Sequence, residues 1–231
     1  MNRNTQANTR CPPYCPRIDH RSATVFALTF ILVVLGGRPA YADNNEPAAP
    51  QAAIHELITK TLTLLDSNPD GMHNDPRGMM ARIAEVADPY VDFSRVSEEV
   101  LGVGWRRADK QQRARFVKAF RQLLLDDYAA VFKQYTGQTI KITGARWTDD
   151  EHHRATVSSL IEKSAEESIK VDYRVYEVDG QWKIYDVVVD GVSLLINYRD
   201  VFASELEQGT LDALIAQLEK KVAGAPAPTA Q

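Results

Sequence analysis

Cysteine is nearly absent from this sequence. The 231 residues contain two, Cys11 and Cys15, and none follows residue 15. No disulfide framework can hold the body of the chain, so its stability must come from an apolar core. Histidine is scarce as well, and the only close pair is His152-His153. Adjacent side chains of an extended segment point to opposite faces, so this pair chelates one metal poorly and reads as solvated turn residues. No G-x-S-x-G, H-E-x-x-H, phosphate-binding loop or dinucleotide fingerprint occurs. Positive charge is not in excess: 27 Lys and Arg stand against 31 Asp and Glu. A strongly basic nucleic-acid binder is thereby disfavoured. With 44% apolar and 25% charged residues the chain is also too apolar for wholesale disorder.

The first 42 residues differ from the rest. Arg3, Arg10, Arg17 and Arg21 precede an uncharged run, Ser22 to Gly37, and Ala40-Tyr41-Ala42 follows. The run gives about 24 Å of helix, short of the ~30 Å hydrocarbon core of a bilayer. Basic, apolar, then small is the pattern of a cleavable export signal, with cleavage expected after Ala42. Without that segment, 189 residues remain, carrying 22 basic and 30 acidic side chains, a net charge of −8. Residues 43–51, rich in Ala, Pro and Asn, read as a flexible leader, 52–223 as the folded domain and 224–231 as a tail.

Periodicity then divides the domain. Ile54, Leu57, Ile58, Leu62 and Leu65 form one helical stripe that stops near Asn68-Pro69-Asp70-Gly71. A second helix is predicted from Pro76, and Asp92 caps a short one through Leu101. Asp109 with Gln112 makes a capping-box variant at the head of the longest helix, which Gly137 closes. Its stripe, Phe116, Phe120, Leu123, Leu124, Tyr128, Val131, Phe132 and Tyr135, is wide enough to demand a large apolar body opposite. Beyond residue 138 the period becomes two. Strands are predicted at 138–143, 155–162, 169–176 and 182–189, with Asp179-Gly180 as a hairpin turn. Two helices, 194–206 and 211–222, finish the chain. The order gives an α+β fold, helices packed on an antiparallel sheet of about four strands.

Asp186 is the sharpest polar feature, set between Tyr185 and three valines in a strand that should be buried. It could be a general base with a raised pKa, as in small cone-shaped α+β isomerases, or a structural carboxylate bonded to Arg, Tyr or backbone donors. Burying it without a partner is too costly, and nothing else in the chain offers an acid/base counterpart, which favours the structural role. Arg106-Arg107 and Tyr198-Arg199-Asp200 read as solvated or salt-bridged helix ends.

Several segments in order carry a resemblance: Pro89-Tyr90-Val91-Asp92-Phe93, Leu101-Gly102 with Trp105, Ala119-Phe120-Arg121, Tyr135-Thr136-Gly137, Val171-Asp172-Tyr173, Tyr185-Asp186-Val187, and Asp190-Gly191-Val192-Ser193 with Asn197-Tyr198-Arg199. Over roughly residues 50–222 the chain resembles the MlaC, or toluene-tolerance auxiliary, family. The resemblance implies a strongly curved sheet clasped by six or seven helices around an apolar cavity. It implies a periplasmic phospholipid carrier, expected to be monomeric. Its partners would be an outer-membrane lipoprotein–porin complex and the substrate-binding ring of an inner-membrane ABC transporter. No catalysis, metal or cofactor is implied; a hopanoid cargo or an Asp186 enzyme are the alternatives.

For such a pocket the sheet offers Val171, Tyr173, Val175 and Ile184, and the long helix Phe116, Phe120, Leu124 and Phe132, with Trp105 at the rim. For any one of them plain core is the commoner fate, and only the group is read as a lining. Counting back from the hairpin sets Val175 opposite Ile184 and Tyr173 opposite Asp186, a parity that a bulge would flip.

Overall fold

The computed structural model describes residues 47–162 and 167–224. The expected signal, its cleavage point, the leader before Pro47 and the tail from residue 225 lie outside them.

Helix α1, Ala48–Ser67, begins earlier than expected and takes in the end of the predicted leader. Proline is tolerated there because the first helical turn has no carbonyl partners for its N–H groups. Pro47 stands at the cap, its carbonyl accepting from the Gln51 N–H at 3.1 Å, and Pro50 is buried in the first turn. After the Asn68-Pro69 break come a short α2, Gly71–Asn74, and α3, Pro76–Ala87, whose N-cap Asp75 accepts from the Gly78 N–H. Asp92 caps α4, Phe93–Leu101, through the Arg95 N–H. Gly102, at φ 53°, breaks the chain into a single-turn α5, Val103–Arg107. The capping box on Asp109 and Gln112 forms in both directions at the head of α6, Lys110–Lys133. The helix ends at Lys133, four residues before Gly137, with Gln134 at its C-cap.

Five antiparallel strands follow in meander order: β1 Thr139–Trp147, β2 Arg154–Glu162, β3 Ser168–Val178, β4 Gln181–Val189 and β5 Val192–Ser193. The two Asp-Gly turns within the sheet each place two residues at positive φ, Asp179 and Gly180 in one, Asp190 and Gly191 in the other. That is the geometry a two-residue hairpin needs. The second turn therefore leads into β5, a strand too short to leave an alternating signature. Helices α7, Leu194–Gln208, and α8, Leu211–Gly224, close the described chain.

The pairing of Val175 with Ile184 holds, but Asp186 lies opposite Arg174, and Tyr173 opposite Val187. Tyr185 is the extra residue of a bulge between these pairs, and one extra residue switches every later side chain to the other face. A second register shift interrupts β1 between Ile142 and Gly144. Bulges bend and twist a sheet locally, the means by which an antiparallel sheet acquires curvature.

Three apolar clusters result. The first joins α4, α5, α6, α7 and α8 around Phe116, Phe120, Tyr198 and Phe202. The second packs α1 on the sheet through Ile54 and Ile58 against Ala155, Val157, Val175 and Ile184. The third sets Met72, Met79, Met80 and Ile83 of α2 and α3 against Leu65 and the far end of α6.

Candidate functional site

Register assigns the sheet's two faces, because directly paired residues share a side. One face is apolar across its width: Trp147, Ala155, Val175 and Ile184 in one row, Ala145, Val157, Tyr173 and Val187 in the next, Ile142, Ser159, Val171 and Val189 in the third. Ile140, Ile161 and Ile169 make a fourth. The opposite face carries Lys141, Ser158, Asp172, Arg174, Tyr176 and Asp186.

α1 seals the first row, where Val175 is buried beneath Ile54 and Ile58. The later rows are not sealed. Ile140, Ile142, Ile161, Ile169, Tyr173, Val187 and Val189 are all half-buried. Ser159, fully buried in the third row, donates its hydroxyl to the Val171 carbonyl at 3.3 Å. Burial pushes the Tyr173 phenol above its usual range, with a bond to Ser159 pulling the other way. Both groups thus stay neutral within an apolar surface.

A second unsealed surface lies on α6. α6 packs chiefly on α8, α3, α4 and α2, and its aromatic rings meet those of α7. Phe116, Phe120 and Leu123 in its first half are shut, at 0%, 1% and 0% exposure. Phe120 has three ring partners, Phe116, Tyr198 and Phe202, with centroids at 5.6, 5.1 and 5.5 Å. In the second half Leu124, Leu125, Tyr128, Ala129 and Phe132 are half-buried, as is Tyr135 just beyond the helix, while Val131 of the predicted stripe is 58% exposed. This half meets α1 at the end of both helices, where the Tyr135 hydroxyl donates to Asp66 at 2.8 Å. Burial first, and then that bond, push the Tyr135 phenol up to about 12. α1 thus adjoins both surfaces, Leu57 and Leu62 on the sheet side and Leu64 and Leu65 on the other.

The nine candidate side chains are distributed among these regions. Trp105, Phe116, Phe120 and Leu124 belong to the helical cluster, Tyr173, Val175 and Ile184 to the sheet cluster, and Phe132 to the methionine cluster. Val171 is buried in the third row. A side chain at 0–1% exposure touches no water-sized space, so Phe116, Phe120 and Val175 stand behind any cleft as walls. Sequence reasoning passed over Leu57, Leu62, Ile140, Ile142, Leu125 and Val187. The first two were legible in the α1 stripe and the β1 pair in its alternation; Val187 was hidden by the bulge.

Asp186 sits on the polar face and is only 4% exposed. Its Oδ2 accepts from Arg174 at 2.9 Å and the Ser193 hydroxyl at 2.7 Å, and its Oδ1 from the Leu195 N–H at 3.0 Å. Ser193 in turn caps α7 by accepting from the Ile196 N–H. The carboxylate therefore ties β3, β4 and the head of α7 together, with both oxygens committed. His152 and His153 are exposed turn residues as expected; His152 stacks on Trp147 with ring centroids 4.6 Å apart, and His153 Nδ1 lies 3.3 Å from Glu177. Among the described residues no group of His, Cys, Asp and Glu is disposed to hold a metal ion, and no helix is long and apolar enough to cross a membrane.

The family model described as MlaC protein matches residues 55–220. The chain is 25% identical over 196 residues to the intermembrane phospholipid transport system binding protein MlaC of Haemophilus influenzae, covering 84% of this chain and 90% of that protein. It is 24% identical over 164 residues to the toluene tolerance protein ttg2D of Pseudomonas putida, covering 71% and 75%. A solved phospholipid-binding protein from Ralstonia solanacearum, in complex with a phospholipid, shares the fold with a TM-score of 0.69 at 24% identity, over 76% of this chain and 98% of that one.

Proposed function

This chain belongs to the MlaC family, and from that premise we propose that it is a periplasmic carrier that encloses the acyl chains of a phospholipid. The observation that carries the reading is the pair of unsealed apolar surfaces flanking α1. A folded chain normally closes such surfaces against each other. Here Tyr173, Val187 and Val189 on the sheet, and Leu124, Leu125 and Phe132 on α6, keep part of their area open. Acyl chains lying against both would finish the core, with Val171 behind them and Trp105, Phe116, Phe120, Val175 and Ile184 as the packed support.

Energetics support the need for enclosure. Two acyl chains hold about 30 methylenes at roughly 0.8 kcal/mol each, so exposing them costs on the order of 20 kcal/mol. Free diffusion across an aqueous gap is excluded by that figure, whereas an oily cleft solvates the tails about as well as a bilayer. Direction can then come from a partner that hydrolyses ATP. The headgroup prefers water and needs no clamp.

In this reading residues 1–42 direct export and are removed after Ala42. The mature protein acts as a monomer, without catalysis, metal or cofactor, and passes lipid between an outer-membrane lipoprotein–porin complex and the ring of an inner-membrane ABC transporter. The commitment of both Asp186 oxygens supports the non-enzymatic part. The deciding experiment is lipid mass spectrometry on protein purified from periplasm. Near-stoichiometric diacyl phospholipid is expected. A hopanoid would change the cargo; a folded protein that holds no lipid and refuses added phospholipid would overturn the proposal.

A further inference from the structure

Every methionine of the described chain falls between residues 72 and 80: Met72 on α2, Met79 and Met80 on α3. Met1 is the only other one in the sequence. The three are shut, at 3%, 2% and 6% exposure, and with Leu65 and Ile83 they form the cluster on which the half-buried Leu125, Ala129, Phe132 and Tyr135 pack. Polar bonds fix the frame around them. Arg121 of α6 donates to both oxygens of Asp88, the C-cap of α3, at 2.8 Å. Tyr135 holds Asp66 at the end of α1, and the Asp75 cap holds the start of α3. Gly71 leaves room for a sulfur: a Cβ built on it would stand 3.1 Å from the Met79 Sδ. With the helix ends clamped, what can change between them is the side chains. A thioether on an unbranched stem repacks readily, whereas the rings that seal the first half of α6 keep a defined geometry.

We propose that Met72, Met79 and Met80 are an adaptable wall that fits the cleft to acyl chains of different length and bend, so that the cargo is a class of diacyl phospholipids and not one tail composition. The inference deepens the carrier reading above and rests on it. Tails that differ by a methylene or a cis double bond leave different voids against Leu125, Ala129 and Phe132. A rigid wall tells them apart, by about tenfold or more for one methylene, because a void forfeits contacts and an overfilled site is strained. A wall that re-forms around each tail removes that difference. Inside the sealed ring cluster the same methionines would meet no ligand. Their place beside the half-open stretch of α6 is what points to the tails.

The test is the triple variant Met72→Leu/Met79→Leu/Met80→Leu, a volume-conserving change of the kind that cores tolerate best. Parent and variant are each offered an equal mixture of dipalmitoyl, dioleoyl and diphytanoyl phosphatidylethanolamine. Bound lipid is read by mass spectrometry, with melting temperature alongside. The parent should hold the three within about threefold of one another, and the variant should spread them about tenfold or more while keeping the parent's total lipid and a cooperative melt. An even distribution in the variant overturns the wall, as does a spread of about tenfold in the parent or a folded variant empty of lipid. A second measurement needs no variant. In parent protein carrying carbon-13 methyl groups on methionine and isoleucine, the Met72, Met79 and Met80 signals should shift from one loaded lipid to the next, while Ile215 of the sealed cluster stays in place. Methionine signals that stay fixed, or move no more than Ile215, overturn the wall whether or not the variant folds. A parent that takes up none of the three lipids overturns the carrier reading and the wall with it; every other adverse outcome overturns the wall alone.

Discussion

The two halves of α6 carry the same kinds of residue and meet different fates. From Phe116 to Leu123 the helix is sealed among aromatic rings of α7 and side chains of α8. From Leu124 to Tyr135 an equally apolar stripe stays half open, touching α2, α3 and the end of α1. The first half is finished core; the second is surface that a ligand can finish. The material differs too. The sealed half is built from stacked and edge-on rings with defined geometry. The open half rests on Met72, Met79 and Met80, flexible side chains that tolerate changes in what they pack against.

The strongest way to break this comparison is a charge in the sealed half. Phe120→Asp should cost more than about 4 kcal/mol, since it removes a buried ring and strands an unpaired carboxylate, and should leave no cooperative melting by circular dichroism. A folded Phe120→Asp protein that had merely lost its lipid would place Phe120 in the cleft. The matching change in the open half, Phe132→Asp, like Tyr173→Glu on the open part of the sheet, should keep a cooperative transition and lower copurified phospholipid about tenfold or more, because each charge sits where tails would lie. Unfolding of both would make the second half ordinary core.

Asp186→Asn sharpens the distinction between scaffold and site. It leaves Arg174, Ser193 and the Leu195 N–H facing a neutral amide, and should cost about 2–3 kcal/mol in urea denaturation while the folded fraction binds lipid normally. The smallest effect concerns pH. Burial and then Asp66 raise the Tyr135 phenol to about 12, and burial and then Asp92 do the same for Tyr176. An unfolded phenol loses its proton near 10, so between about 10 and 12 the folded state binds more protons than the unfolded one. Stability from these groups is present below pH 10 and declines as pH rises towards 12. Tyr135→Phe should flatten the fall of melting temperature across that window by a few degrees or less.

Much of the fold was legible. The stripe of α1, the Asp92 cap, the capping box on Asp109 and the Asp179-Gly180 hairpin are local signals, and each formed where it was read. α1 was started too late because two prolines look like a linker, although both sit where a helix tolerates them. β5 went unseen because two residues carry no period. The site was less legible. Phe116 and Phe132 fall on one stripe of one helix, and nothing in their spacing says that one faces Phe202 while the other is left half open.

By itself the sequence determined the kinds and order of elements, the lack of cysteine beyond residue 15, and a family resemblance spread over short segments. These depend on propensity, capping and period, which act over a few residues. Only the tertiary structure decided that Tyr185 forms a bulge, that Asp186 therefore turns to Arg174 and Ser193, and that the apolar surface divides into sealed and open parts. Burial is set by what lies opposite a side chain, and that partner comes from far along the chain.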